Sequence, residues 1–186
     1  MLLALLLLFA QFILLLALII LIIWIWSIGQ RLPVPYVPTR RYLCAEIIDL
    51  LEFKPGSVFY ELGSGDGRLV REVNRRHPNV RAIGIERRYA LWKFCRIVRR
   101  LRGSPKNVEF LQEDLRETPL VSATHIYAFL SSPLMALLSE KFEKEFHGRL
   151  VSCDFPLPDK KPARVVELTR DKGKKIFQKL YVYDFA

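Results

Sequence analysis

The stretch FYELGSGDGR, residues 59–68, decides the fold of this chain. An apolar segment of strand length, 58–62, leads into a loop with glycine at every second position, and residues 68–76 then resume helical spacing of apolar side chains. A strand that passes through a glycine loop into a helix is typical of doubly wound α/β sheets, which bind ligands at the carboxyl ends of their strands. The stretch therefore predicts a parallel sheet with a ligand site at this loop.

Strands and helices alternate on both sides of the loop. Helical spacing is found in residues 41–53, 68–76 and 89–101 and after Ser132-Pro133, and buried strands are predicted at residues 58–62, 80–85, 108–111, 125–130 and 150–153. Residues 164–169 and 176–185 flank Asp171-Lys-Gly173, which is a hairpin signal. We expect an α/β domain with right-handed crossovers and a C-terminal antiparallel hairpin.

The N-terminal segment has a different composition from the rest of the 186-residue chain, whose net charge is +10. Up to Trp26 only Gln11 is not apolar, and Arg31 is the first charged residue. A helix over this run is roughly 39 Å long, enough to cross a hydrocarbon core of about 30 Å. A cleaved signal peptide is the alternative, but no basic segment precedes the run and no small-x-small cleavage site follows it.

These features predict a transmembrane anchor at residues 1–30, with residues 1–26 in the lipid bilayer. The basic residues on its C-terminal side predict a single-pass membrane protein whose domain lies in the cytoplasm. Residues 31–40 contain Pro33, Pro35 and Pro38 and are expected to form a stiff linker. Residues 41–186 then have the length of one ordinary domain.

The cysteines and histidines do not form a metal motif. Cys44, Cys95 and Cys153 lie far apart in apolar surroundings, which indicates reduced core residues. The three histidines do not cluster with them or with carboxylates. We therefore expect no metal.

The spacing within the glycine loop indicates the kind of ligand. A dinucleotide site needs G-x-G-x-x-G, and here the third glycine comes one residue too early. The acidic residues Glu61 and Asp66 also crowd the place where a diphosphate would lie. Carboxylates there suit a ligand with cationic groups, such as an amino acid attached to a sulfonium, although Asp66 has the alternative role of capping the following helix.

Glu61-x-Gly63-x-Gly65, together with acids at the ends of the next two predicted strands, resembles motifs I, II and III of class I S-adenosylmethionine-dependent methyltransferases. The resemblance implies a Rossmann-like seven-strand sheet and S-adenosylmethionine as cofactor. By the family's pattern, Glu61, Gly63, Ser64 and Gly65 hold the amino-acid end, Glu86 holds the ribose hydroxyls, and Asp114 and Leu115 border the adenine.

A narrower resemblance covers nearly the whole chain. The hydrophobic N-terminal helix, Pro35-Tyr-Val-Pro-Thr39, the glycine loop and Val151-Ser-Cys-Asp-Phe-Pro156 are similar to small membrane-anchored protein-lysine methyltransferases. The mitochondrial members of that group methylate the adenine nucleotide translocase and the ATP synthase c subunit. This chain departs from them in having Glu61 in place of Asp and in lacking an aromatic residue after the late Phe-Pro segment, so their particular substrates do not carry over.

The resemblance implies a lysine side chain of a membrane protein as the methyl acceptor. Ser131, Ser132 and Pro133 follow the fourth predicted strand, where N-methyltransferases present groups to the incoming amine, although a simple helix cap explains them equally well. Tyr36 and Thr39 are expected to close over the cofactor, with a stiff linker as the alternative. No general base is assigned, because a cationic leaving group needs little acid catalysis.

Residues 87–102 form a predicted helix with a strongly basic outer face. No nucleic-acid recognition module accompanies it, so we favour apposition to anionic lipid over nucleic-acid binding, with a solvated face as the next alternative. A small-molecule or lipid N-methyltransferase and a non-catalytic S-adenosylmethionine-binding protein remain the alternative functions.

Overall fold

The computed structural model describes residues 2–30, 37–103, 105–169 and 177–186. The chain forms two units, residues 1–37 and residues 38–186. Tyr36, most of the predicted linker and the tip of the C-terminal hairpin lie outside the described residues.

The first unit contains helix α1, Leu2–Gln30. Among the described residues, no helix is both long enough and apolar enough to cross a membrane. The predicted localisation, a single-pass membrane protein with a cytoplasmic domain, is therefore wrong. The lipid-facing interpretation of residues 87–102 depended on that anchor and loses its support.

The second unit alternates strands and helices as the sequence predicts. Its helices are α2 (Leu43–Leu51), α3 (Arg68–Arg76), α4 (Tyr89–Leu101) and α5 (Ser132–Glu145). Its strands are β1 (Val58–Leu62), β2 (Arg81–Ile85), β3 (Val108–Leu111), β4 (His125–Ala128), β5 (Gly148–Cys153), β6 (Arg164–Thr169) and β7 (Phe177–Phe185).

The strands form one seven-stranded sheet in the order β3-β2-β1-β4-β5-β7-β6. The first five strands pair in parallel, and β7 is antiparallel to both β5 and β6. The predicted Rossmann-like sheet with a C-terminal antiparallel hairpin is confirmed. Because β1 lies between β2 and β4, the chain reverses its direction of winding there, and this is the position where such sheets bind ligands.

The sheet is buried on both faces. On one face, residues of α2, α3 and α4 pack against alternate strand residues such as Phe59 and Tyr127. On the other, residues of α5 such as Leu138 and Phe142 pack against Tyr60 and Ile126. Burial on both sides explains why these strands are apolar at consecutive positions. It also makes the ends of the strands the accessible part of the sheet.

The three cysteines are free and buried in this core, as predicted. Burial raises the pKa of Cys44 to about 11 and that of Cys95 to about 12. Both thiols are therefore protonated at neutral pH and serve as packing residues.

Candidate functional site

The glycine loop, residues 63–67, connects the end of β1 to the start of α3. The amides of Gly63 and Ser64 both donate to the carbonyl of Ile85, the last residue of β2, at 2.9 Å. The backbone φ angles are +73° at Gly63 and +55° at Gly65, in the left-handed region where glycine is favoured. The loop is therefore held tightly against the end of the neighbouring strand.

Glu86 follows β2 directly and lies against this loop. Its side chain is 8% exposed, and Oε2 accepts a hydrogen bond from the amide of Gly65 at 2.9 Å. Oε1 accepts from the amide of Arg88 at 2.8 Å. A carboxylate oxygen has two acceptor positions, so with respect to the described residues each oxygen retains one for a further donor. The structure thus brings together Gly65 and Glu86, two of the predicted cofactor-binding residues.

Glu61 lies on β1 beneath the start of α3. The side chain is 4% exposed, and Oε2 accepts from the amide of Val70 at 3.2 Å. Burial raises the pKa of Glu61 to about 8, against the smaller opposing effect of that hydrogen bond. At neutral pH Glu61 is therefore mostly a protonated acid in the ligand-free protein, which the sequence pattern does not reveal.

The raised pKa of Glu61 predicts a pH dependence of stability. An unfolded glutamate titrates near 4.3, whereas Glu61 titrates near 8 when folded, so folding favours the protonated form. We expect the free energy of unfolding of the ligand-free protein to fall between about pH 4.5 and pH 8 and to level off above. Glu61→Gln should lack this slope and exceed the wild type at pH 9 by roughly 3 to 5 kcal/mol.

Urea denaturation at half-unit pH steps measures this slope. Glu109→Gln, which changes an exposed glutamate of β3 that pairs with Arg81, serves as the control and should keep the wild-type slope. Equal slopes in Glu61→Gln and the wild type would contradict the buried, protonated state of Glu61.

Asp66 is engaged by α3. Arg68 donates from Nε and Nη2 to its carboxylate, at 3.0 and 2.7 Å, and the amide of Arg68 donates to Oδ1 at 3.1 Å. Burial opposes the ionisation of Asp66, but the hydrogen bonds and charge of Arg68 outweigh it and lower the pKa of the carboxyl. Asp66 therefore accepts a hydrogen bond from the first amide of α3, next to the N-cap residue Gly67, which agrees with the helix-capping alternative.

Asp114 lies after β3 and is held by two arginines. Arg116 donates through Nε and Nη2 at 3.0 and 2.7 Å, and Arg87 lies 3.5 Å from Oδ2. The hydrogen bonds from Arg116 hold the pKa of Asp114 well below its usual range. Arg87 directly follows Glu86 at the end of β2, so the ion pair between Arg87 and Asp114 joins the ends of β2 and β3. Leu115 is buried with the core residues of the α5 face.

Thr39 precedes α2 and is buried beside the loop helix. Its hydroxyl lies 3.1 Å from the hydroxyl of Tyr127 on β4, and its carbonyl accepts from Arg68 Nη1 at 3.1 Å. Thr39 is therefore bonded to both β4 and α3. Tyr36, its predicted partner, lies outside the described residues.

The segment after β4 begins α5. The carbonyl of Ser131 accepts from the amides of Leu134 and Met135, at 3.0 and 2.9 Å, while its side chain makes no capping hydrogen bond. Ser132 and Pro133 are exposed. Leu130 packs against the glycine loop, since a Cβ built at Gly63 would lie 3.1 Å from its Cδ2. The segment therefore borders the loop. The exposed side chains of Ser132 and Pro133 are accessible to a substrate.

Two further features of the site, an aromatic pair and the unpartnered hydroxyl of the predicted cofactor residue Ser64, are seen only in the tertiary structure. Phe129 and Phe155, which follow β4 and β5, stack with ring centroids 6.3 Å apart. Ser64 is 4% exposed, and within the described part of the chain its hydroxyl has no hydrogen-bond partner. Phe155 lies in the Val151–Pro156 stretch, which could have indicated it, whereas nothing in the sequence indicates the unpartnered hydroxyl.

Comparison with known proteins identifies the family to which this arrangement belongs. A family model described as the ANTKMT methyltransferase domain matches residues 61–164, more than half of the chain. The chain belongs to this family. It is a class I S-adenosylmethionine-dependent methyltransferase, as the motifs at the strand ends indicate.

Individual relatives of this methyltransferase agree with the family assignment. A protein-lysine N-methyltransferase of Saccharolobus islandicus (strain REY15A) is 26% identical over 137 residues, which cover 73% of this chain and 85% of the relative. An RNA methyltransferase from Salinibacter ruber, solved with S-adenosyl-L-homocysteine, is 30% identical with a TM-score of 0.72, covering 80% of this chain and 94% of that one.

A more distant solved structure shares only the fold of this methyltransferase. The precorrin-6y C5,15-methyltransferase of Geobacter metallireducens GS-15 has a TM-score of 0.60 at 15% identity, covering 81% of this chain and 94% of that one.

Among the described residues, no group of three or more His, Cys, Asp or Glu side chains could hold a metal ion.

Proposed function

We propose that this methyltransferase transfers a methyl group from S-adenosylmethionine to the side-chain amine of lysine residues in proteins. The observation that carries the proposal is the meeting of Glu86 with the glycine loop, in a chain of the ANTKMT methyltransferase family. The name of the Saccharolobus relative supports lysine as the acceptor.

The residues around the glycine loop fit this cofactor in three respects. Glu86 retains one acceptor position on each oxygen, which suits the two hydroxyls of a ribose. Ser64 has a buried hydroxyl without a partner, and a polar group of the ligand can satisfy it. Gly63 and Gly65 leave the loop backbone open to close approach. We assign the amino-acid end of the cofactor to residues 63–65 and the ribose to Glu86.

We also assign Glu61, Asp114 and Leu115 to the cofactor, as the resemblance of the motifs at the strand ends implies. Glu61 lies below the loop, and the cationic amino group of the cofactor favours its ionised form, so binding releases a proton. Asp114 and Leu115 border the adenine, with Asp114 oriented by Arg116 and Arg87. Thr39 and Tyr36 lie on the segment that we propose to close over the cofactor.

The acceptor side of the site is formed by the ends of β4 and β5. When bound, S-adenosylmethionine supplies an electrophilic methyl group on a sulfonium. The stacked rings of Phe129 and Phe155 provide an apolar wall for the methylenes of a lysine. Removal of water there favours the neutral amine that can attack. Ser131, Ser132 and Pro133 position the amine, and the Glu86 and loop contacts position the cofactor.

An RNA acceptor is the second candidate, because the Salinibacter neighbour carries the name of an RNA methyltransferase at 30% identity. The deciding experiment uses two incubations of the purified chain with methyl-labelled S-adenosylmethionine. One contains the protein fraction of a cell lysate and the other contains its RNA. We expect label in protein, located on lysine by mass spectrometry, and background label in RNA.

Glu86→Gln protein is the control for that assay and should give labelling close to background. Label in RNA alone, or label in protein at residues other than lysine, would contradict the lysine proposal while leaving the methyltransferase assignment intact.

A further inference from the structure

A cavity lies between α3 and the end of α4 and adjoins the glycine loop, since its lining residues Arg68 and Arg71 both bond Asp66. It has a volume of about 490 Å³ and is partly open to solvent, with Pro105 and Val108 in its lining. None of the residues proposed to hold the cofactor or the acceptor lines it. Its volume is in the range of small-molecule sites, roughly 300–1,000 Å³.

The lining of this cavity is strongly basic. Among the described residues, six arginines and one acidic residue, Glu72, line it; the arginines are Arg41, Arg68, Arg71, Arg75, Arg99 and Arg102. Glu72 is already bonded to Arg75 and to Arg76. Positive charge at the cavity is therefore far in excess of the negative charge that the lining supplies.

The arginines differ in whether their guanidinium groups have partners within the protein. Arg68 and Arg71 hold Asp66, through its carboxylate and its carbonyl respectively. In contrast, Arg41 and Arg102 form no ion pair with any carboxylate among the described residues.

Arg99 provides an independent indication of a ligand. Its Nη2 donates to the carbonyl of Pro105 at 3.1 Å, but its Nε is buried without a hydrogen-bond partner in the described part of the chain. A buried donor of a charged group normally has an acceptor. Arg99 also lines the cavity, and a guanidinium group that turned towards an anion bound there would bring this donor to an acceptor.

We propose that this cavity is a binding site for phosphate groups, with Arg41, Arg99 and Arg102 as the principal contacts. The guanidinium fork matches phosphate oxygens bidentately. A phosphate also carries more charge and more acceptor oxygens than a carboxylate, which suits a cavity with several guanidinium groups. The cavity is large enough for more than one phosphate group. These groups belong either to a free phosphorylated molecule or to the phosphodiester backbone of a nucleic acid.

The first test is calorimetric titration of the full chain with inorganic pyrophosphate. We expect one site per chain, and at least a tenfold loss of affinity in the double variant Arg99→Gln/Arg102→Gln. The matched control is Arg96→Gln/Arg100→Gln, which removes the same charge from the same helix but changes no residue of the cavity. Its affinity should stay within about twofold of the wild type. Thermal unfolding of both double variants establishes that each is folded.

A short single-stranded RNA, titrated in the same way, identifies the source. RNA that binds and is displaced by pyrophosphate assigns the site to backbone phosphates, whereas binding of pyrophosphate alone assigns it to a free molecule. Absence of pyrophosphate binding, or equal losses in the two double variants, would overturn the proposal. Binding of a polyglutamate peptide to a protein that does not bind pyrophosphate would reassign the cavity to the carboxylates of an acidic protein.

Discussion

In the Glu86→Gln variant, the affinity for S-adenosylhomocysteine is expected to fall about 100-fold or more. The glutamine retains one side-chain oxygen, so the pair of acceptor oxygens that we assign to the ribose hydroxyls is lost. A hydrogen bond to a charged group contributes about 1.5–3 kcal/mol, and each 1.4 kcal/mol corresponds to a factor of about ten. Calorimetric titration of the wild type and the variant measures the difference.

Glu86 also accepts hydrogen bonds from the amides of Gly65 and Arg88, so the fold has to be monitored alongside binding. Titration well below the unfolding temperature of the variant separates the two effects. Glu109→Gln, which removes the charge of an exposed glutamate on β3, should bind as the wild type does. Unchanged affinity in a folded Glu86→Gln protein would show that the ribose assignment is incorrect.

Gly67→Ala is expected to destabilise the second unit by about 2–5 kcal/mol, the largest effect on stability that we predict for the glycine loop. The new Cβ would lie 2.7 Å from Cζ of Phe110, nearer still to Cε1, and 3.0 Å from Cys95 Sγ. Overpacking of this kind costs about 1–3 kcal/mol. The backbone φ of +69° adds about 1–2 kcal/mol for a residue with a Cβ. The free energy of unfolding from urea denaturation measures the sum.

Gly56→Ala separates the two contributions to that effect. Gly56 also has a positive φ, +82°, but a Cβ there would meet nothing within 4 Å, so we expect only the backbone cost. Adding Phe110→Leu to Gly67→Ala should recover part of the packing cost relative to the sum of the two single changes. Equal losses in Gly67→Ala and Gly56→Ala would mean that Phe110 accommodates the extra carbon.

The regular elements of the second unit could be predicted closely, because their signals are local. The apolar spacing of residues 68–76 and 89–101 matches α3 and α4 at both ends. The Ser132-Pro133 signal matches the start of α5. The strand before the glycine loop matches β1, since consecutive apolar residues bounded by turn signals are characteristic of strands buried on both faces.

The site was predicted less completely. The spacing of acids after successive strands predicts Glu86 as a cofactor-binding residue, but it does not indicate the hydrogen bond between Glu86 and the amide of Gly65. It does not indicate that Arg116 and Arg87 hold Asp114, because those contacts depend on side-chain positions. The long apolar N-terminal run led to a membrane localisation that the structure contradicts, since no helix among the described residues meets the requirements of a membrane span.

The sequence by itself determined the α/β class, the position of the glycine loop and the family, because each depends on residue types at short, regular separations along the chain. Only the tertiary structure decided which groups are buried together. The pKa of Glu61, raised to about 8, and the arginine-lined cavity between α3 and α4 both arise from residues that are distant in sequence. Desolvation and charge act through space, and therefore depend on how the helices pack on the sheet.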